Sequence, residues 1–270
     1  MSISTIKSRI KSHSKKVFYL SNKDFEAGFL RIVLPGIYKL TENIILHFPQ
    51  ETIEEYIFHS FKQHDFNFGI HAGIMIETDY VVIDLNGFSI SQSIPFYSGQ
   101  RFFNLIQFNN FPFIPKQKKS GTTQGPIVHT SLTHFNEPSY IVIRNGTLGL
   151  SSHNAIHGNN NSHVVLEKLK IHSFEVAGVT LNNCDTCFID NVHIQDSLQT
   201  VPFNTFYNTI LLFLRTIHLF YPSYTTSQEY KSILETIRPY FETFEKAKSL
   251  QDILKLKNKS RSEEHTSELQ

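Results

Sequence analysis

Three ten-residue stretches decide the fold of this chain: SYIVIRNGTL at 139–148, SHVVLEKLKI at 162–171 and DTCFIDNVHI at 185–194. They align without a gap at a constant offset of 23 residues. Inward positions recur two apart, then three, then two, which predicts strand alternation, one turn residue and alternation again. The predicted inward columns are Ile141/Val164/Cys187, Ile143/Leu166/Ile189, Gly146/Leu169/Val192 and Leu148/Ile171/Ile194.

A repeat near 23 residues that is built from short strands is typical of a solenoid. One turn cannot bury its apolar residues alone, whereas stacked turns bury a continuous column and pair parallel strands ~4.8 Å apart. A looser earlier copy lies at 72–90. The leucine-rich horseshoe is the competing solenoid, but its Leu-x-x-Leu-x-Leu frame does not recur.

On these repeats, the segment from about Asn67 to Ser197 resembles the right-handed parallel β-helix of the pectate-lyase-like superfamily. The resemblance covers roughly half of the chain, and it is specific for the fold rather than for an activity. It implies an all-β solenoid with turns of about 23 residues, followed here by a C-terminal helical segment. It also implies polysaccharide as a partner.

The rest of the chain divides around this solenoid. Proline-rich sequence separates the first copy from the regular three and predicts a long loop. The predicted parts are a basic, flexible start at 1–16, an N-terminal cap at 17–65, the β-helix at 66–197 with a loop insertion at 94–138, and a helical insertion or cap at 198–258.

The helical segment is recognised by its change of period. Pro239 suits the first turn of a second helix, and Ser249 has the character of an N-cap for a third. The stretch 209–220 is apolar nearly all round, which predicts burial against the column or a partner subunit. Oligomer or assembly contacts would therefore use this segment. The positions at helical spacing are Ile233, Ile237, Phe241 and Phe244.

Composition bounds the remaining possibilities. The 270 residues are 40% hydrophobic and 18% charged, which excludes a disordered polyelectrolyte. A net charge of +1 gives no electrostatic argument for nucleic acid. No apolar run reaches the ~18 residues of a membrane span, and the start lacks the apolar segment of a secretory signal. The compartment stays open.

The last ten residues, Arg261–Gln270, match the in-frame translation of a common short-read sequencing adapter at every position. We expect them to be non-native and exclude them from fold reasoning. We also expect the natural sequence to continue past Ser260.

Two cysteines, Cys184 and Cys187, have the spacing of a metal or redox pair. Cys187 falls in an inward column, and the chain has no second pair to complete a zinc site. We therefore predict a buried structural thiol.

A charge ladder, defined as Asp84, Arg144, Glu167 and Asp190, shares one outward column. The resemblance implies that Glu167 and Asp190 could hold calcium and that Arg144 could take the sugar C5 proton. The alternative is a surface ladder in which opposite charges neutralise each other.

The turn sequence 151–161 combines histidine with small polar residues. The 23-residue offset places Glu175 beside Ser152, and His172 lies in the Gly149 column. His153, His157 and Glu175 could perform acid–base chemistry or bind sugar hydroxyl groups. The alternative is turn chemistry, because tight corners require Asn, Ser and Gly.

Three functions follow from these features. The first is a carbohydrate-interacting β-helix with no assignable reaction. The second is a polysaccharide lyase or related enzyme, with His153, His157, Glu175 and Arg144 as candidate catalytic residues. The third is a structural β-helix of a surface, appendage or virion assembly. Glycoside hydrolases of this fold carry paired acids, which are absent here, so the sequence argues against polygalacturonase-type hydrolysis.

Overall fold

The computed structural model describes residues 1–47, 71–99, 102–108, 137–195, 209–210, 213–214, 217, 221–246 and 252. The helices are α1 (Ile3–His13), α2 (Ile94–Gly99) and α3 (Gln228–Lys246), with 3-10 turns at Asn22–Phe25 and Pro222–Thr226. The strands are β1 (Val17–Leu20), β2 (Leu30–Ile32), β3 (Gly36–Leu40), β4 (Ile44–Leu46), β5 (His71–Ile76), β6 (Val81–Asp84), β7 (Ser89–Gln92), β8 (Phe103–Phe108), β9 (Ile141–Leu148), β10 (Asn154–Asn159), β11 (Ser162–His172), β12 (Ala177–Asn182) and β13 (Asp185–Gln195).

These strands form two parallel sheets. The larger sheet has the order β1-β3-β6-β9-β11-β13, with β4 and β7 alongside, and the smaller sheet has the order β2-β5-β8-β10-β12. The chain runs back and forth between the two sheets. Within each sheet, a strand therefore pairs with the strand that the chain forms when it next returns to that sheet. The apolar core lies between the sheets and includes Ile83, Ile143, Leu166 and Ile156.

The 23-residue register of the three regular copies is confirmed. Val164 pairs with Ile141 on one side and with Cys187 on the other, and all four predicted columns follow the same register. The predicted turn residue between the half-strands is present as well. Its positions, Asn145, Lys168 and Asn191, have φ values of 61°, 51° and 51°. This left-handed residue shifts the alternation by one, which explains the spacing of three in the sequence.

The predicted dry interior ends before the last strand. Ile141 and Val164 are fully buried, whereas Cys187 is exposed. Ile189 and Ile194 are also exposed, although they share columns with buried residues of β11. In the described part of the chain β13 is the outermost strand of the larger sheet. The prediction of a buried Cys187 thiol is therefore wrong, because no further described strand covers its column.

The loop insertion predicted at 94–138 contains a strand. β8 pairs in parallel with both β5 and β10, so it belongs to the smaller sheet. Its register partners are 32 residues earlier (His71 to Phe103) and 50 residues later (Ile106 to Ile156), and a comparison at a fixed offset of 23 therefore misses it. Residues 109–136 of the predicted loop lie outside the described residues.

The predicted N-terminal cap joins the same two sheets. Strands are present where the sequence predicts them after Leu34, and β3 and β4 pair in parallel with β6 and β7. β1 and β2 extend the sheets in the same way, so the strands of 17–46 belong to both sheets. Residues 48–65 lie outside the described residues.

The start of the chain, predicted to be flexible, forms helix α1. The Ser2 hydroxyl caps it by accepting a hydrogen bond from Thr5 N at 3.2 Å. Ile6 and Ile10 are buried one helical turn apart. They pack against an outward valine stripe of the larger sheet, formed by Val82, Val142 and Val165. This docking surface becomes visible only when residues far apart in the sequence are aligned in the sheet.

The helical segment is confirmed in type but differs in detail. α3 continues through Pro239, where the sequence predicts a second helix to begin. Leu214 and Ile217 are buried, as predicted for the apolar stretch, whereas Phe213 is 54% exposed. The third helix predicted from Ser249 falls almost wholly outside the described residues. No helix in the described ranges is long and apolar enough to cross a membrane.

Candidate functional site

The charge ladder has the predicted register. Arg144 pairs with Asp84 in the next strand on one side and with Glu167 on the other, and Glu167 pairs with Asp190. Arg144 Nη2 lies 2.9 Å from Asp84 Oδ2, and Arg144 Nε donates to the same oxygen at 3.1 Å. The proposed proton-abstracting group is thus held by a neighbouring carboxylate, which directs the guanidinium along the ladder.

Glu167 has a second cationic neighbour. Lys7 of α1 forms an ion pair with Glu167, whose side chain is nearly buried under the helix. Asp190, the second predicted calcium ligand, is exposed at the outer strand. In the described residues, no group of three or more His, Cys, Asp or Glu side chains is arranged to hold a metal ion. These contacts match the neutralised ladder more closely than a calcium site.

Glu175 lies where the sequence places it, next to Ser152. Ser151 forms a parallel bridge with Phe174, and Glu175 N donates to Ser151 O at 3.2 Å. Its carboxylate accepts a hydrogen bond from the buried Tyr97 of α2 (Oη to Oε1, 2.5 Å). The carboxylate of the predicted cluster is therefore bonded to a phenol from α2.

His153 and His172 separate in the structure. His153 is half-buried, and its Nδ1 lies 2.8 Å from Asn154 Nδ2 and 3.1 Å from Asn104 Oδ1. His172 is exposed and lies over Gly149, as the column predicts. The two imidazoles thus contact different residues, His153 two amides of the smaller sheet and His172 the Ser173 hydroxyl group.

His157 occupies the outward face of the smaller sheet. It pairs with Gln107 of β8 and with Thr180 of β12. The neighbouring residue Ile156 belongs to the core between the sheets, so His157 points away from that core. Only 8% of His157 is exposed, and desolvation lowers its pKa, which favours the neutral imidazole. Its Nδ1 has no hydrogen-bond partner among the described residues.

Four buried polar side chains form what we call the amide–imidazole block: Asn104, Gln107, Asn154 and His157. Asn104 Nδ2 donates to Gln107 Oε1 at 2.9 Å, and Asn104 Oδ1 accepts from Asn154 N at 3.1 Å. Thr180 Oγ1 donates to Asn154 Oδ1 at 3.0 Å from the next strand. The block thus joins β8, β10 and β12 on one face of the smaller sheet.

Sequence reasoning misses half of this block because it assigns Asn104 and Gln107 to a loop. A signal is nevertheless present, since Phe103, Leu105 and Phe108 repeat the inward spacing of two and then three that opens each regular copy. That spacing would have placed Asn104 and Gln107 outward, beside the turn that contains the histidines.

The asparagines at the next corner have structural partners. Asn182 Nδ2 donates to Asn159 Oδ1 at 2.8 Å, and Asn183 Nδ2 donates to Asn160 Oδ1 at 2.7 Å. Asn160 and Asn183 have φ values of 55° and 48°, which asparagine tolerates better than most residues. The turn-chemistry interpretation therefore accounts for these asparagines but not for His157.

The two cysteines are in contact as thiols. Both are free, Cys184 Sγ lies 3.4 Å from Asn182 O, and Cys187 Sγ lies 3.8 Å from Asp185 O. Desolvation, with a smaller effect of the neighbouring Cys184, raises the pKa of Cys187 to about 11. Both thiols are therefore protonated at neutral pH, which disfavours nucleophilic chemistry.

Comparison of the chain with protein-family models, with curated proteins and with solved structures gives no match. The resemblance to the pectate-lyase-like superfamily therefore stays a prediction.

Proposed function

We propose that the chain is a right-handed parallel β-helix that binds carbohydrate without cleaving it. The β-helix is supported by the alternation between two parallel sheets and by the constant register of 23 residues in β9, β11 and β13. Strands that stack in this order build long parallel faces, and their length suits an extended polymer.

The observation that carries the binding proposal is the amide–imidazole block. Amide, imidazole and hydroxyl groups both donate and accept hydrogen bonds, as the hydroxyl groups of a sugar do. Asn104, Asn154, His157 and Thr180 supply all three types across adjacent strands. His153 and Thr180 are half-buried at the margin of the block, which gives a ligand an approach to it.

The contacts of the carboxylates favour binding over catalysis. Ordinary glycoside hydrolysis needs two carboxyl groups, and acid–base work by the histidine turn needs Glu175 close to an imidazole. Glu175 is bonded to Tyr97, while Glu167 and Asp84 are paired with Lys7 and Arg144.

A second candidate, a structural β-helix within an assembly, is favoured by one observation. Phe213 and Tyr221 of the helical segment are more than half exposed. Large exposed apolar side chains mark interaction surfaces when they cluster. Measurement of the mass in solution by light scattering separates the two, because an assembly subunit should form defined oligomers whether or not sugar is present.

The test of the binding proposal is retention on immobilised neutral and uronate polysaccharides, with and without calcium. We expect retention on at least one polymer, without release of shortened or unsaturated products. Asn154→Ala should weaken binding by about tenfold, because it removes buried hydrogen bonds within the block. The matched control is Asn182→Ala, which removes an exposed corner asparagine. Failure to bind every polymer, or release of cleavage products, would contradict the proposal.

A further inference from the structure

We infer that the amide–imidazole block recognises a neutral saccharide rather than a uronate, with His157 Nδ1 bonded to a sugar hydroxyl group. This inference rests on the proposed function and names the ligand class of the same site.

His157 is more than nine-tenths buried, yet its Nδ1 has no hydrogen-bond partner in the described ranges. Buried polar atoms in native proteins are nearly always hydrogen-bonded, so an unpartnered one marks a place that a ligand group can complete. The surrounding amides are already bonded to one another. They hold the block in place, while the imidazole nitrogen keeps its bonding capacity for a ligand.

The chemistry of this nitrogen fits a hydroxyl group. Burial lowers the pKa of His157, so the ring is neutral near pH 7 and carries one donor nitrogen and one acceptor nitrogen. A hydroxyl group can rotate to donate or to accept, and it therefore fits either tautomer. A carboxylate only accepts, and it would lose its hydration beside an uncharged ring without gaining an opposite charge.

The charged residues on the same face also favour a neutral ligand. The outward row through His157 runs from Arg31 through Met75 and Gln107 to Thr180. Arg31 is the only lysine or arginine within the five strands of the smaller sheet. Its guanidinium forms a buried two-point ion pair with Glu77. Because Glu77 already pairs with Arg31, this arginine has little charge left to attract the carboxylate of a uronate.

Among the described residues, His153 is a second titratable group that contacts the block. Its Nδ1 lies within hydrogen-bond distance of Asn104 and Asn154. Protonation of His157 at acid pH would change the pattern of donors and acceptors. Binding should therefore be measured near pH 7.5 and should depend little on ionic strength, since no unpaired charge of the described strands takes part.

The experiment is calorimetric titration with neutral oligosaccharides and, separately, with oligogalacturonate and oligomannuronate, at low and high salt. We expect binding of a neutral oligosaccharide that is insensitive to salt. His157→Leu should weaken that binding at least tenfold, His157→Gln should retain part of it, and Asn182→Ala should leave it unchanged. In the wild-type protein, the nitrogen resonance of His157 Nδ1 should shift on saturation, which tests the contact without a variant.

The outcomes are distinct. Binding of uronates alone would overturn this inference and leave the proposed carbohydrate binding intact, whereas no binding of either class would remove both. An unshifted His157 nitrogen resonance in a saturated complex would overturn the inference even if His157→Leu fails to fold.

Discussion

Stacking of the repeats makes a quantitative prediction for two isoleucines in one column. Ile143 and Ile189 flank Leu166 on either side. Ile143 is fully buried, whereas Ile189 is 57% exposed. Ile143→Ala leaves a cavity in a closed core and should cost about 2–5 kcal/mol of unfolding free energy. Ile189→Ala removes a side chain that is less than half buried, so its cost should be about 1 kcal/mol or less.

The assay is urea unfolding followed by far-ultraviolet circular dichroism, with the two variants and the wild type in parallel. The Ile143→Ala midpoint should fall well below the wild-type midpoint at a similar slope, while Ile189→Ala should remain close to it. Any loss from Ile189→Ala should be confined to the outer strand, because stacked repeats unfold partly layer by layer. Equal losses from both substitutions would refute the assignment of β13 as the exposed end of the described column.

Three further outcomes are expected. Ile6→Ala should loosen α1 and increase the rate of tryptic cleavage within the helix about thirtyfold, from a loss of about 2 kcal/mol, and an unchanged rate would argue against docking. Because the pKa of His157 is lowered in the folded state, the unfolded state binds more protons below about pH 6.5, and the free energy of unfolding should fall on acidification. Calorimetric melting at several pH values should show a smaller fall for His157→Gln than for the wild type. The pKa of His47 is lowered as well, but His47 is present in both proteins, so its effect cancels in the comparison. Alkylation of Cys187 by iodoacetamide near pH 8 should be about a hundredfold slower than that of an unperturbed thiol, and its rate should rise towards pH 11. A fast reaction in a Cys184→Ser variant at neutral pH would show that the neighbouring thiol, rather than desolvation, raises the pKa of Cys187.

Much of the candidate site could be placed from the sequence, though its chemistry could not. The offset of 23 predicts that Glu175 lies beside Ser152 and that Arg144 aligns with Glu167, and both placements are confirmed. The partners of these groups come from outside the repeat, since Tyr97 lies in α2 and Lys7 lies in α1. Alignment of the repeat copies shows which of their own residues are neighbours. It cannot predict contacts with residues of other elements.

By itself, the sequence determined the strands of the three regular copies, their parallel pairing and the turn residue within each copy. These are properties of period and local conformation, and they recur every 23 residues. Tertiary structure alone decided that α1 covers the valine stripe and that β8 completes the smaller sheet. It also decided that His157 Nδ1 is buried with no hydrogen-bond partner among the residues that the structure describes. Burial depends on which distant segment covers a surface, and the spacing of residues along one segment carries no information about that.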